Sequence, residues 1–230
     1  MPAYRSRSFN DANLSSLDYA KTSNSATLVP SKLKQSLESQ PKKATRLDLS
    51  MLVETVVEGI FAGHNYRKLT FEALDSKNQS NAHGPTTFTT SHEDVMIILS
   101  DDWQTSWVFE SQTGGWKRIL MNLFGNALKY THSGYVQVSL KANTLPGSST
   151  SPAQRVVNLQ IDDSGKGMSK DYLKYELFTP FAQENHLSVG TGLGLSIVRQ
   201  LVTDLGGKIN IQSEVGYGTT VKVSVPLDSP

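Results

Sequence analysis

The stretch Trp116–Tyr130, WKRILMNLFGNALKY, constrains the fold more than any other part of this chain. Its apolar residues recur at the spacing of about 3.6 residues that marks a helix with one buried face. Asn122, Asn126 and Lys129 form a neighbouring stripe, because residues three and four apart lie above one another on a helix. The apolar set comprises Trp116, Ile119, Leu120, Leu123, Phe124, Ala127 and Leu128. The stretch therefore predicts a core helix that holds two amides and an amine in a row.

The polar stripe has the chemistry of a Mg²⁺-phosphate site. A carboxamide oxygen is a neutral, hard ligand that suits Mg²⁺ when phosphates supply the negative charge. An ammonium group close by suits the phosphate oxygens. The alternative is an amphipathic helix whose Asn and Lys side chains are only its solvated side. This stretch alone leaves both interpretations open.

Composition limits the class of protein. With 230 residues, 37% of them hydrophobic and 19% charged, the chain can bury one core, which predicts one domain with tails. A net charge of +1 without runs of like charge gives no footprint for nucleic acid or a membrane surface. The lack of cysteine excludes disulfides and thiolate metal sites. There is no signal peptide and no apolar run near the ~20 residues that span a bilayer. We therefore expect a soluble, cytoplasmic protein without direct membrane insertion.

Two polar regions of the chain lack periodicity. Residues 1–46 are rich in Ser, Asn and Lys, and we expect them to be a disordered or linker segment. Within it, Leu14–Lys21 has the pattern of the last turns of a helix. Residues 75–94 are polar and interrupted by Gly and Pro, which predicts a loop, and Val95–Leu99 is a short apolar run that we interpret as a strand.

A second helix is predicted to begin at Leu47. Apolar residues recur from there at helical spacing, and Asp48 or Ser50 could act as the N-cap. Gly63 is predicted to lie near the end of this helix.

The C-terminal half predicts a sheet. Apolar residues alternate with polar ones in four segments, which is typical of strands with one buried face. These residues are Val136, Val138 and Leu140; Val157, Leu159 and Ile161; Ile209 and Ile211; and Val221, Val223 and Val225. Residues 142–155 are predicted to be a long hairpin loop, residues 214–218 the turn of a second hairpin, and Leu195–Leu205 a helix stopped by Gly206. We therefore expect a two-layer α/β sandwich with a mixed, mostly antiparallel sheet and helices on one face.

Two glycine-rich loops follow predicted elements. In the first, Asp163 is followed by Gly165 and Gly167, which would let the backbone approach a ligand closely, while the carboxylate can accept a hydrogen bond from an exocyclic amine. The second, Gly190–Gly194, leads into the Leu195 helix, whose first N–H groups favour an anion such as phosphate. Neither loop has the spacing of a dinucleotide fingerprint or a P-loop. The alternative for each is a tight turn.

Five motifs together resemble the N, G1, F, G2 and final glycine boxes of sensor histidine kinases. They are Asn122-x-x-x-Asn126-Ala-x-Lys129, Asp163-x-Gly165-x-Gly167, Leu177-Phe178-x-Pro180-Phe181-x-Gln183, Gly190-Thr-Gly192-Leu-Gly194-Leu and Gly216-x-Gly218-Thr219. Five boxes in this order are far more specific than any one of them. The resemblance covers residues 47–228 and implies an ATP-binding catalytic domain of the Bergerat fold, in the superfamily that also contains gyrase, mismatch-repair and heat-shock ATPases. The sequence of residues 124–131, FGNALKYT, most resembles the corresponding sequence of fungal hybrid kinases.

The resemblance also implies roles for single residues. Asn122, Asn126 and Lys129 would be catalytic, with Asn126 the Mg²⁺ ligand and Lys129 a phosphate contact, while Asp163 would read the adenine amine of ATP. The segment 184–189 looks like a short lid with its hinge at the two phenylalanines of the F box. The other residues expected at the nucleotide are Tyr130, Gly165, Gly167, Met168, Phe178, Phe181, Gly190, Thr191, Gly192, Leu193, Gly194 and Thr219.

Three functional classes stay open. None of the five histidines lies in a phosphoacceptor motif, so a kinase would need a separate dimerisation domain carrying that histidine, and a response regulator receiver domain downstream. The similarity of LDYAK, within Leu14–Lys21, to the end of a dimerisation helix fits this view. A second class is a nucleotide-binding regulatory module without transfer activity. The third, an ATP-hydrolysing clamp, is disfavoured because its members carry a glutamate as general base where this chain has Asn122.

Overall fold

A five-stranded sheet carries the helices on one of its faces. The computed structural model describes residues 44–79, 95–102, 105–145, 154–184 and 190–228. Its strands are Val95–Ser100 (β2), Gly134–Leu145 (β4), Gln154–Asp163 (β5), Lys208–Glu214 (β6) and Gly218–Leu227 (β7). They lie in the order β2, β4, β5, β7, β6, with only β2 and β4 parallel. The predicted fold class, a mixed and mostly antiparallel sheet in a two-layer sandwich, is confirmed.

The helix predicted from the Trp116 stretch packs against this sheet as α2, Thr113–Tyr130. Every residue of its predicted apolar face is buried, and Trp116 also donates a hydrogen bond from Nε1 to Ser111 Oγ at 3.0 Å. The prediction that the amides and the amine lie in the core is wrong. Asn122, Asn126 and Lys129 are only half-buried, because their stripe faces the rim of the core rather than the sheet.

Helix α1, Leu49–Gln79, is longer than predicted. Leu47 and Asp48 belong instead to a short strand β1, Thr45–Asp48, and the Asp48 carboxylate caps the helix by accepting from the Met51 N–H at 3.1 Å. Gly63 lies inside the helix, since one glycine costs only about 1 kcal/mol and no proline follows it before Gln79. Because no proline interrupts the helix, residues 75–79 are also helical rather than part of the predicted loop. Residues 80–94 lie outside the described residues.

The hairpin between β4 and β5 is also longer than predicted. Its register runs from Val136 opposite Asp163 to Leu145 opposite Gln154. Residues 142–145 and 154–155 are therefore strand, because the ladder continues past the last clearly alternating apolar residues. Residues 146–153 lie outside the described part, as do Leu14–Lys21 and residues 185–189.

Three short elements were not predicted. β1 pairs with β3, Val108–Ser111, in a separate two-stranded antiparallel sheet, and α3 spans Lys170–Tyr175. Ser169 Oγ accepts from the Tyr172 N–H at 3.3 Å and so caps α3. Helix α4, Gly194–Asp204, closes the helical layer one residue from its predicted start, and the β6–β7 hairpin is as predicted. No helix within the described residues is long and apolar enough to cross a bilayer.

Candidate functional site

The first glycine loop is bound to the chain that follows helix α2. The Lys166 N–H donates to Tyr130 O at 3.2 Å, and the Ser164 N–H donates to Tyr135 O at 3.1 Å. In return, the Tyr135 N–H donates to Ser164 Oγ at 2.9 Å. The end of β5 and the end of α2 are thereby fixed to each other, which brings the first loop to the same place as the polar stripe.

Asp163 is the last residue of β5, and its carboxylate is only partly exposed. Burial raises the pKa of Asp163 above its ordinary value of 3.8, while hydrogen bonds from the backbone N–H groups of Gly165 and Thr219 lower this pKa and the neighbouring Asp162 raises it. The Gly165 N–H lies 2.9 Å from Asp163 Oδ1. Two ionised oxygens offer about four acceptor positions, so this carboxylate can still accept from a ligand amine.

Both glycines after Asp163 are required by close contacts. A Cβ on Gly165 would stand 2.5 Å from Tyr130 O and 2.8 Å from Asp163 Oδ1. Gly167 has a φ of 68°, and a Cβ there would overlap the backbone oxygen of Glu214 in the β6–β7 hairpin. The loop therefore packs closely against the end of α2 and the β6–β7 hairpin. A tight turn by itself would not require these close contacts.

Met168 and Thr219 meet through Ser213 on β6. The Met168 N–H donates to Ser213 Oγ at 2.9 Å, and this hydroxyl lies 2.9 Å from Thr219 Oγ1. Because Thr219 is opposite Asp163 in the β5–β7 ladder, both residues lie at the same end of the sheet.

The second glycine loop lies against the polar stripe of α2. A Cβ on Gly194 would stand 2.9 Å from Asn122 Oδ1 and 3.7 Å from Asn126 Nδ2. A Cβ on Gly190, which has a φ of 148°, would stand 3.3 Å from Lys129 Nζ. Since Gly194 begins α4, the unpaired N–H groups of that helix start beside both asparagines. Carboxamides, an ammonium and a helix N-terminus together can hold an anion and its metal ion.

Thr191 and Leu193 complete this loop. Thr191 is exposed, and Leu193 is the half-buried N-cap residue of α4, whose side chain makes no capping hydrogen bond. The loop therefore presents backbone groups rather than side-chain caps at the start of α4.

Two ammonium groups lie at the ring of Tyr130. Lys129 Nζ donates to Tyr130 Oη at 2.8 Å and lies 4.4 Å from the ring centroid. Lys166 Nζ lies 4.9 Å from the same centroid and 3.9 Å from a carboxylate oxygen of Glu184. The sequence analysis missed Lys166; its position between the two glycines of the first loop was the available signal. Because Glu184 lies beside Lys166, Lys129 is the better source of positive charge at this edge of the site, which suits phosphate.

The residues of the F box do not share one environment. Phe181 is 73% exposed and has a φ of 67°, and its N–H donates to Gly192 O at 3.1 Å. Phe178 instead lies near α4, with the Arg199 guanidinium 5.3 Å from its ring centroid. Gln183 binds the second loop as well, donating from Nε2 to Gly190 O at 2.7 Å. The structure thus brings Phe181 and Gln183 to the loop, whereas Phe178 contacts the helix behind it.

The donor set favours a metal ion that phosphates help to hold. No group of three or more His, Cys, Asp or Glu side chains within the described ranges is arranged to bind a metal by itself. The Asn126 carboxamide, next to the cationic and N–H-rich loop, fits a hard cation that arrives with a polyphosphate.

Comparisons with known proteins identify the family to which the chain is similar. Residues 112–229 match the family model described as histidine kinase-, DNA gyrase B-, and HSP90-like ATPase. The autoinducer 2 sensor kinase/phosphatase LuxQ of Vibrio vulnificus is 37% identical over 115 residues, 48% of this chain and 13% of that protein. Histidine protein kinase 1 of Candida albicans is 35% identical over 117 residues, 49% of this chain and 4% of that protein. The chain thus spans only a small part of the length of either relative.

A solved structure supports the fold. Full-length ShkA in complex with AMPPNP matches with a TM-score of 0.55 at 22% identity, over 81% of this chain and 32% of that chain. The family model covers more than half of the 230 residues and includes the polar stripe and both glycine loops. The chain therefore belongs to the family of histidine kinase-, DNA gyrase B- and HSP90-like ATPases.

Proposed function

We propose that this chain carries the ATP-binding catalytic domain of a protein histidine kinase. It would present Mg²⁺-ATP for phosphoryl transfer to a histidine on a separate dimerisation domain, in two-component phosphorelay signalling. The observation that carries the proposal is the closeness of Gly194, at the start of α4, to the amide stripe: a Cβ there would stand 2.9 Å from Asn122 Oδ1 and 3.7 Å from Asn126 Nδ2. A reaction of this kind depends mainly on positioning and charge neutralisation, which such a cradle can supply.

The phosphate side of the site would be held by α2 and the second loop. Asn126 would be the protein ligand of Mg²⁺, with Asn122 beside it, and Lys129 and Tyr130 would contact phosphate. Gly190–Gly194, including Thr191, Gly192 and Leu193, would surround the triphosphate with backbone N–H groups. Phe181 would lie at the mouth of this loop, since its N–H already binds Gly192 O.

The base side would be held by the first loop. The Asp163 carboxylate would accept a hydrogen bond from the adenine amine, and Gly165 and Gly167 would allow the base to approach the backbone. Met168 and Thr219 would line the same pocket, as their shared contact with Ser213 supports.

We further propose that the domain spans residues 47–228, beyond the matched 112–229. Leu49, Val53, Val56 and Val57 of α1 are buried in the same hydrophobic core as α2 and the large sheet. Removal of α1 would expose this apolar surface to water, so the domain needs this helix in order to fold.

The phosphoacceptor would come from another domain. Of the five histidines, His64 lies within α1 and His132 lies just after α2, while the other three lie outside the described residues. Neither of these two is followed by the sequence that a phosphoacceptor requires. A dimerisation domain that carries this histidine and a receiver domain are therefore the partners that the proposal implies.

Asn122 favours the kinase over the hydrolytic clamp. Its carboxamide Nδ2 donates to Arg118 O at 2.8 Å, and an amide cannot take a proton from water at neutral pH. The regulatory module is the second candidate, favoured by the lack of an acceptor motif in the chain itself.

Binding and transfer can be tested separately. At a hundredfold excess over Kd, Mg²⁺-ATP should stabilise the domain by about 2.7 kcal/mol, or several degrees in Tm at roughly 2–4 °C per kcal/mol. With labelled ATP, the chain alone should acquire no stable phosphohistidine, while an added dimerisation domain should become labelled. A Tm that is indifferent to Mg²⁺-ATP would refute nucleotide binding. Tight binding without labelling of several acceptor domains would favour the regulatory module.

A further inference from the structure

Strand β6, Lys208–Glu214, forms one edge of the five-stranded sheet. It pairs with β7 on one side, and none of the strands that the structure describes pairs with its other side. In an antiparallel pair, alternate residues direct their backbone N–H and C=O groups to the partner strand, so the remaining residues of β6 direct theirs away from β7. Such an edge can pair with a strand of another molecule.

The side chains of β6 are arranged symmetrically about its middle residue, Ile211. Lys208 and Glu214 lie three residues before and after it, and Asn210 and Gln212 lie directly on either side of it. These four polar residues are exposed, whereas Ile211 packs against the core. Because successive side chains of a strand point to opposite faces of the sheet, all four lie on the face away from the helices.

Antiparallel pairing of β6 with β6 of a second copy would match these side chains in two sets. If Ile211 lies opposite Ile211 of the other copy, Lys208 lies opposite Glu214 and Asn210 lies opposite Gln212, each twice because the pairing is two-fold symmetric. Opposite charges directly across a strand pair stabilise it, and like charges destabilise it. Residues opposite each other point to the same face, so both helical layers would lie on one side of the joined sheet.

The other edge of the sheet, β2, lacks this complementarity. Val95–Ser100 contains no charged residue, and Asp101 and Asp102 follow it, so self-pairing there would gain no ion pair within the strand. Charged residues on an edge strand also discourage unspecific pairing. That protective role alone would not require opposite charges at equal distances from the middle of β6.

The tip of the β6–β7 hairpin extends the same surface. Val215 and Tyr217, in the turn after β6, are 63% and 72% exposed. In the same register, this turn would lie beside Gly206 and Gly207, which precede β6 in the other copy. Contact there would remove apolar surface from water and so favour the pairing.

We propose that the free edge of β6 binds β6 of a second copy of this chain in an antiparallel pair, which joins two five-stranded sheets into one continuous sheet. The contact does not depend on the proposed ATP binding. One strand pair buries less surface than a stable protein interface needs, so the free chains associate weakly. Two chains held together elsewhere, as by the dimerisation domain of the proposed function, have a higher effective concentration, which favours the contact.

Charge reversal tests the pairing in the whole chain. In analytical ultracentrifugation at low salt, the wild type should associate reversibly as its concentration rises. Lys208→Glu and Glu214→Lys should each raise the dissociation constant about tenfold, because each replaces two attractive pairs by two repulsive ones. The double variant, which carries both changes, should return close to the wild-type value, since it restores both pairs with their charges exchanged.

The matched control is Lys222→Glu. Lys222 is exposed on the same face of the sheet, but it lies on β7, opposite Asn210 and one strand away from the edge. This variant has the same change in net charge as Lys208→Glu, and it should associate as the wild type does. The comparison therefore separates an effect of the strand pair from an effect of net charge alone.

Cross-linking tests the register. The chain has no cysteine, so an introduced thiol is the only one present. An equal mixture of Asn210→Cys and Gln212→Cys chains should form a disulfide-linked dimer on mild oxidation, because these two positions face each other at a Cα separation of roughly 4.5–5.5 Å. Asn210→Cys alone should cross-link far more slowly, because its two copies would be diagonal neighbours about 7–8 Å apart, beyond the reach of a disulfide.

The inference is overturned by any of four results. The wild type remains monomeric at every concentration, Lys208→Glu associates as strongly as the wild type, or the double variant does not recover association. The fourth is equal cross-linking in the mixture and in Asn210→Cys alone, which would show association through another part of the chain. Should a charge-reversal variant lose its thermal unfolding transition, the cross-linking of the two uncharged cysteine variants decides.

Discussion

Replacement of Asp163 by asparagine should weaken ATP binding while it stabilises the nucleotide-free domain. Asparagine keeps the shape and one oxygen, which can still accept from the Gly165 N–H that lies 2.9 Å from Oδ1. The second oxygen becomes an NH₂ group that would meet the adenine amine, donor against donor. A mispaired polar group of this kind costs roughly 1–3 kcal/mol, so the Kd for ATP should rise by about one to two decades.

Stability should move in the opposite direction, and it should do so with pH. Because burial raises the pKa of Asp163 above 3.8, the folded state favours the protonated acid and binds more protons than the unfolded state. The unfavourable contribution of the buried carboxylate is thus complete above the folded-state pKa, and it is relieved as pH falls from there towards 3.8. Asp163→Asn removes this contribution, so at neutral pH its Tm without nucleotide should exceed that of the wild type.

Asp162→Asn is the matched control. Asp162 is the neighbouring residue of β5, and its side chain points to the other face of the sheet, where it accepts from Thr220 Oγ1 at 2.6 Å and from Gln160 Nε2. Calorimetric titration with Mg²⁺-ATP should give this variant the wild-type Kd. Equal ATP affinity in Asp163→Asn and the wild type would refute the reasoning, because Asp163 would then be only a turn residue.

Three further outcomes are expected. Gly167→Ala should destabilise the domain by on the order of 2–5 kcal/mol in thermal unfolding, because a positive φ costs about 1–2 kcal/mol and the collision with Glu214 O about 1–3 kcal/mol. The control is Gly125→Ala in α2, where nothing lies within 4 Å of the added Cβ, and it should stabilise the domain by roughly 0.5–1 kcal/mol. A Gly167→Ala variant with the same Tm as the wild type would contradict the loop geometry. Lys129→Ala should lower ATP affinity by ~1.5–3 kcal/mol but leave adenosine binding, measured by competition, almost unchanged; an equal loss for adenosine would place Lys129 at the base instead. On acidification, the wild type should lose ATP affinity more steeply than Asp163→Asn, and parallel pH profiles in titration calorimetry would show that the Asp163 charge plays no part.

The sequence predicted the helices and strands that bury one face in the core, because their apolar residues then recur at a regular spacing. The apolar face of α2 and the alternation in β4, β5 and β7 follow directly from packing against one core, and all were confirmed. Element ends were less predictable. Gly63 lies inside α1, because a helix with enough contacts before it tolerates the small cost of one glycine. β1 and β3 contain only four residues each, too few for a readable period.

The site was predictable as a set of motifs but not as an arrangement. The spacing of Asn122, Asn126 and Lys129 indicates one helix face, and a glycine loop indicates a close backbone approach. Neither states that Gly194 lies beside the two asparagines, since this position depends on how α4 packs on α2. Lys166 was missed for the same reason. Its place at the site follows from the side chain it meets, Tyr130, which lies elsewhere along the chain.

The direction in which the polar stripe of α2 points is set by the buried face of the same helix. Trp116, Ile119 and Phe124 are fully buried, and so they fix the rotation of the helix about its axis. With residues about 100° apart around an α-helix, this rotation also determines where Asn122 and Asn126 point. The side chains that meet the second loop are therefore oriented by apolar contacts on the adjoining face of the same helix. The packing of α2 would therefore place the side-chain oxygens of Asn122 and Asn126 for the proposed nucleotide and metal ion, even though Asn122 Nδ2 already donates to Arg118 O.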